Sequence, residues 1–216
     1  MATATIIPEL AEGQRLDATE FERRYHASAI RKAELIEGVV RVASPVSDDH
    51  SPAHARATGW LFLYETATPG TVAGIDGTIC LDRSNQVQPD IHLRLVSGGR
   101  STVGSDRYIE GPPELVIEIA VSTSAHDLGE KRELYRRFGV REYLVWRVID
   151  GAIDWFALVD GRYDRLEADG EGIIRSRVFP GLWLDVAAMI ANDRASWIGR
   201  LQRGLASPEH AAFVAR

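Results

Sequence analysis

Glu118 is the residue of this sequence that is hardest to explain without chemistry. It interrupts the run Leu115-Val116-Ile117-Glu118-Ile119-Ala120-Val121, which reads as a central strand apolar on both faces. An ionised carboxylate buried there alone would be costly. Two compensations stay open: a salt bridge to Arg or Lys, or a divalent cation shared with a second carboxylate such as Asp90. Adjoining carboxylates raise each other's pKa and a bound cation reverses that effect, so the pair makes more physical sense with metal than without. Asp90 follows Pro89 in a predicted strand from Val87 to Val96. There Val87, Ile91, Leu93 and Leu95 take one face, and Gln88, Asp90, His92 and Arg94 the other. Taken alone, that pattern is an amphipathic edge strand.

The helix predicted after Glu118, from about Ala125 to Phe138, carries Lys131, Leu134, Tyr135 and Phe138 at i, i+3, i+4 and i+7. Lys131 therefore occupies a position aimed at the sheet, toward the carboxylates or snorkelling past them. Asp127, one turn earlier, reads as half of a solvated i, i+4 ion pair. Lys131, Arg132, Arg136, Arg137, Arg141 and Arg147 concentrate positive charge beside the acids, where a phosphodiester backbone would need it. His50, near the start of a long helix, suits phosphate contact or proton transfer as well as a surface or capping role. His50 and His54 have the spacing of two zinc ligands, but no glutamate follows His50 and Pro52 stands between them, which disfavours zinc. No GxSxG elbow, phosphate loop or dinucleotide glycine fingerprint occurs, so serine-hydrolase and nucleotide-hydrolase readings lose their support.

The elements that must position these residues can be read in order. A short helix spans Ala18 to Ala27, capped by Asp17 or Thr19. A hairpin turns at Glu37-Gly38 between Ala33 to Ile36 and Val39 to Val42. The Ala-rich helix from about Asp48 to Thr66 follows, with two acids in its first turn. Strands are predicted at Thr71 to Ala73, Thr78 to Leu81, Tyr143 to Val148, Ile153 to Val159 and Tyr163 to Glu167, the last two joined by Asp160-Gly161. Glu114 to Val121, a helix capped among Ser122 to Ser124 and ended by Gly139, and Tyr143 to Val148 form a βαβ crossover. From Leu184 onward the chain reads as two helices, the second opened by Ser207-Pro208-Glu209. The fold class is α/β, a central mixed sheet flanked by helices. The 1–15 segment reads as a tail, 16–180 as the main domain and 181–216 as a helical extension packed on it.

With 216 residues, 45% hydrophobic and 26% charged, the chain is neither disordered nor fibrous. One cysteine, Cys80, excludes an internal disulfide and a cysteine-built zinc site, and fits a reducing cytoplasm. Neither a secretory signal nor a membrane span is visible. The net charge of -6 argues against wholesale nucleic-acid coating but leaves room for a local basic groove.

Several spaced motifs then carry a resemblance. Gln88-Pro89-Asp90-Ile91, Pro113-Glu114-Leu115-Val116-Ile117-Glu118-Ile119, Asp127, Lys131, Tyr135 and Gly139-Val140-Arg141-Glu142-Tyr143 closely resemble the Uma-two family of restriction-endonuclease-like domains. Glu34-Leu35-Ile36-Glu37-Gly38, Ser47 to His50, Pro180-Gly181-Leu182-Trp183-Leu184 and Ser207-Pro208-Glu209-His210 agree, so the resemblance covers roughly residues 16 to 214. It implies the PD-(D/E)xK nuclease superfamily, with Asp90 and Glu118 as ligands for Mg2+ and the Ile119 carbonyl as a third oxygen, Mn2+ being a natural substitute. A bound water would attack the phosphate in line, with a lysine orienting it. The superfamily lysine belongs two residues after the acid, where this sequence has Ala120; Lys131 is the candidate to supply the amine. Glu34 is a candidate for the additional acid that superfamily members carry ahead of the sheet.

The leading expectation is thus a Mg2+-dependent endonuclease acting on DNA. The alternatives are a catalytically impaired module that keeps the nuclease fold for binding or regulation, motivated by Ala120, and a metal-dependent phosphodiesterase acting on RNA. A homodimer would be the simplest way to cut both strands, with Trp183, Trp197 and Leu201 offering apolar contact.

Overall fold

Asp17 opens the first helix because its carboxylate accepts the Glu20 N–H at 2.8 Å, satisfying one of the donors a helix start leaves unpaired. The computed structural model describes residues 7–215. Its elements in chain order are α1 (Ala18–Ala27), β1 (Ala33–Ile36), β2 (Val39–Val42), α2 (His50–Ala67), β3 (Thr71–Ile75), β4 (Ile79–Asp82), β5 (Asn85–Val87), β6 (Ile91–Leu95), β7 (Thr102–Val103), β8 (Ile109–Glu110) and β9 (Leu115–Ala120). There follow α3 (Ser124–His126), a π-helical turn (Asp127–Lys131), α4 (Arg132–Phe138), β10 (Glu142–Arg147), β11 (Ala152–Val159), β12 (Arg162–Arg165), β13 (Ile173–Arg175), β14 (Trp183–Asp185), α5 (Val186–Ile190), α6 (Arg194–Leu205) and α7 (Pro208–Val214). No helix among the described residues is long and apolar enough to cross a membrane.

The chain divides into two compact units. The first comprises the residues up to Pro45 with Gly77–Gln88 and Thr102–Gly111. It holds α1 and a six-stranded sheet in the order β2-β1-β5-β4-β8-β7. Glu37 and Gly38 take φ of 53° and 70°, the left-handed pair that a two-residue hairpin turn requires. They set the β1/β2 register from Ala33↔Val42 to Ile36↔Val39. Leu10, Phe21, Ala33, Leu35 and Val40 form the core of this unit.

The second unit comprises Val46–Asp76, Pro89–Ser101 and Pro112–Arg216, and its sheet runs β12-β11-β10-β9-β6-β3. β9 is buried at every position. It is antiparallel to β6 and, through the crossover helix, parallel to β10. Gly139 ends the crossover helix in the left-handed conformation, φ 78°. Ile91, Leu93, Ile117, Ile119, Leu144 and Trp146 belong to the core that α2 fills with Ala53, Ala57, Trp60, Leu61 and Tyr64. Side-chain alternation turns Asp90, His92, Val116, Glu118, Tyr143 and Val145 to the opposite face.

Four expectations need correction. Val87 to Val96 is not one strand: β5 ends at Val87 in one sheet and β6 starts at Ile91 in another, because Pro89 has no N–H to give to a ladder. Nor is it an edge strand, since β6 lies between β9 and β3 and residues 85–93 are all buried. The crossover helix is not uniformly α-helical but passes through the π turn. The C-terminal stretch adds the β13/β14 hairpin and three helices instead of two. Trp197 and Leu201 are core residues, and Trp183 lies under the Arg175 guanidinium, 4.5 Å from its ring centroid. The apolar groups offered for self-association are therefore used within the unit.

Candidate active site

Asp90 sits one residue before β6, and extending the β6/β9 register beyond Ile91↔Ile117 places it opposite Glu118. Because β6 has not yet begun, the Ile119 N–H finds no backbone acceptor there and donates instead to Asp90 Oδ2 at 2.8 Å. This bond explains how Asp90 is held while only 7% exposed. On the far side of β9 the Ala120 carbonyl accepts the Val148 N–H. Successive peptide groups of a strand point to opposite edges, so the Ile119 carbonyl faces the Asp90 side.

Glu118 is 3% exposed and Lys131 4%, and Lys131 Nζ donates to Glu118 Oε1 at 2.9 Å. Tyr135 Oη donates to the same oxygen at 3.1 Å. A buried amine thus reaches Glu118 from the crossover helix. The π turn is what aims it: the Arg132 N–H bonds back to the Asp127 carbonyl, and the extra residue brings both Asp127 and Lys131 inward. Tyr143 reinforces the turn, its hydroxyl donating to the Asp127 carbonyl at 2.9 Å and its ring lying 5.0 Å from that of Tyr135.

His50 Nε2 lies 3.3 Å from Asp90 Oδ2, and His54 Nε2 lies 3.1 Å from the Asp90 carbonyl. The two histidines serve Asp90 from the first turns of α2. Glu34 belongs to the other unit, where its carboxylate accepts the Gln88 N–H at 2.8 Å and is buried.

Asp127 is the residue that sequence reasoning misplaced. It is buried, not solvated, and accepts the Thr123 hydroxyl at 2.6 Å. Burial pushes its pKa up, against the Lys131 charge that lowers it. Burial likewise lifts the Tyr143 phenol well above its ordinary value, with Glu118 and Asp127 adding to the effect. The inward position of Lys131 was the available signal, since four residues separate it from Asp127. The positive density is also less available than its sequence implies. Arg136 is bound by Glu133 and the Gly161 carbonyl, Arg147 by Asp150 and Asp154, and Arg132 lies over Phe156.

Among the described residues no three His, Cys, Asp or Glu side chains gather into a metal-binding group. Two carboxylates and a carbonyl on one side of β9 still suit a hard cation that keeps several of its own waters, as Mg2+ does. The donor chemistry fits such an ion.

A mixed sheet flanked by helices, with a parallel crossover at its centre, is a restriction-endonuclease-like fold. Residues 18–187 match the Uma2 family, described as "Putative restriction endonuclease", and the chain belongs to that family. Among solved structures, the chain is similar to one described as a putative nuclease belonging to DUF820 from Anabaena variabilis, with a TM-score of 0.62 at 12% identity. That likeness covers 78% of this chain and 96% of the other. No curated protein matches.

Proposed function

We propose that this protein is a Mg2+-dependent endonuclease that hydrolyses DNA phosphodiester bonds at Asp90, Glu118 and Lys131. The observation that carries the reading is the buried Lys131 ammonium on the carboxylate of Glu118, directly across the strand register from Asp90. A buried ion pair beside a second buried carboxylate is not gathered in a sheet interior for stability alone, because desolvation cancels most of the attraction. Asp90, Glu118 and the Ile119 carbonyl would hold Mg2+, with Mn2+ as a substitute. Such an ion would supply Lewis-acid polarisation of the scissile phosphate and a lowered pKa for the attacking water. Lys131 would orient the attacking water and offset the charge that develops on the phosphate. Tyr135 fixes the Glu118 carboxylate. His50 holds Asp90 and is the candidate to accept a proton from the attacking water.

Metal titration by calorimetry tests this directly. The wild type binds Mg2+ or Mn2+, and the Asp90→Asn, Glu118→Gln double variant does not; binding that survives both substitutions sinks the reading. The absence of a lysine at Ala120 favours one competing reading, a nuclease fold kept for binding. Cleavage abolished by Glu118→Gln alone excludes it. Parallel assays on DNA, RNA and dinucleotides separate a DNA nuclease from a phosphodiesterase acting on RNA. A two-fold dimer would place one site on each strand of a duplex, and sedimentation in the presence of DNA reads the stoichiometry.

A further inference from the structure

Two backbone bonds fix which way each peptide group of β3 faces. The Asp76 N–H donates to the Asp90 carbonyl and the Val96 N–H to the Gly70 carbonyl, so the even-numbered residues of β3 turn their N–H and C=O groups toward β6. Thr71, Ala73 and Ile75 turn theirs outward, where β3 has no neighbouring strand. The Thr71 N–H is engaged by the Thr68 carbonyl. The N–H groups of Ala73 and Ile75 and the carbonyls of Thr71, Ala73 and Ile75 have no partner among the described residues. Such an open row is a template for another strand, and charges, proline, bulges or covering chain are the usual protections against it. Other edges have them. Gly13 and Gln14 bond to Val40 on the free side of β2, and β12, the opposite edge of the same sheet as β3, carries Arg162, Asp164 and Arg165 exposed. β3, with the sequence Thr71-Val72-Ala73-Gly74-Ile75, has no charge, no proline and no shift of register. Ile75 at its end is 54% exposed.

We infer that β3 is a self-association edge: two copies of the chain pair their β3 strands antiparallel about a two-fold axis at Ala73, joining two six-stranded sheets into one. The bonding pattern is what selects a second copy as the occupant. In this register the Ala73 N–H donates to the partner's Ala73 carbonyl and the Ile75 N–H to the partner's Thr71 carbonyl, and the symmetry repeats both bonds. The one ladder donor that the pairing leaves out, the Thr71 N–H, is the one the chain has already engaged at Thr68. Ile75 comes to lie across from the partner's Thr71 on the same face, which covers the exposed apolar side chain. No charged side chain stands on β3 to meet its own copy. Ordinary strand spacings put the two Asp90 residues about 25 Å apart on the same face of the joined sheet, so both candidate sites address one side of the dimer.

Sedimentation velocity on the protein without metal or nucleic acid tests the pairing, so its outcome is independent of whether the site cleaves. The wild type shows a concentration-dependent equilibrium between monomer and dimer. Ile75→Lys puts a charge on the open edge at an exposed position and weakens dimerisation roughly 10-fold or more. Ala73→Pro deletes an N–H that no bond within the chain uses, removes two of the four ladder bonds and weakens dimerisation roughly 30-fold. Ile75→Val leaves it within about 2-fold. The register is read by double electron–electron resonance between nitroxide labels at Val96→Cys, an exposed site just past β6, in a Cys80→Ser background; the two labelled Cα positions lie about 25 Å apart. A wild type that stays monomeric, a dimer indifferent to both Ile75→Lys and Ala73→Pro, or a label separation beyond about 40 Å overturns the inference.

Discussion

Replacing Lys131 by Met tests the buried pair at the centre of the site. Lys131 and Glu118 are each about 5% exposed at the side chain and 2.9 Å apart. After the substitution the Glu118 carboxylate keeps the Tyr135 hydroxyl at 3.1 Å but faces the buried site without the ammonium. Removing one member of a buried pair costs about 3–5 kcal/mol, because the other charge stays desolvated. That is a large share of the stability of a single domain. Removing both members, Glu118→Gln with Lys131→Met, leaves no stranded charge and costs less than the sum of the single changes, by about 2 kcal/mol or more. Urea unfolding monitored by tryptophan fluorescence gives these differences as midpoint shifts at constant m. Mg2+ adds a second reading. Without the ammonium competing for Glu118, the ion stabilises Lys131→Met by about 2.7 kcal/mol at a hundred times its Kd for that variant, and stabilises the wild type less at the same concentration. A Lys131→Met protein within about 0.5 kcal/mol of wild type, or strictly additive single changes, would refute the buried-pair argument.

Three further outcomes follow from the same geometry. Glu142 is fully buried and accepts the Ser176 hydroxyl and the Arg177 and Val178 N–H groups, yet burial raises its pKa from 4.5 to about 7. The folded state then binds the proton more tightly than the unfolded one. Wild-type stability therefore falls by about 3 kcal/mol as pH rises from 4.5 to 7, whereas Glu142→Gln loses that dependence in unfolding curves across the range. Tyr135→Phe deletes one donor to a charged acceptor and costs about 2 kcal/mol of stability, with a matching rise in the mobility of Glu118 seen as weaker calorimetric Mg2+ binding. His54→Ala releases the Asp90 carbonyl from its 3.1 Å contact and weakens Mg2+ binding roughly 10-fold, which His54→Gln restores in the same titration.

The sequence exposed the local structure where one residue type decides it. Asp17 as a cap, the Glu37-Gly38 turn and Gly139 as a terminator place α1, the β1/β2 hairpin and the end of α4 correctly. Glu118 and Lys131 were legible for a related reason, since a charge on an apolar stripe requires a partner and each proved to be the other's. The break at Pro89 was not legible as a change of sheet, because alternation continues through Val87, Ile91 and Leu93 whichever sheet each residue joins. The burial of Asp127 depends on one extra residue in a helical turn, and no periodicity computed for a regular helix contains it.

The most direct test of the account is a supercoiled-plasmid nicking assay with Mg2+ and with Mn2+, running wild type, Asp90→Asn and Glu118→Gln purified identically. The account predicts that the wild type nicks with either ion and that both variants are silent. Nicking by Glu118→Gln equal to that of the wild type would contradict it, and silence from all three would assign the fold to binding instead of cleavage.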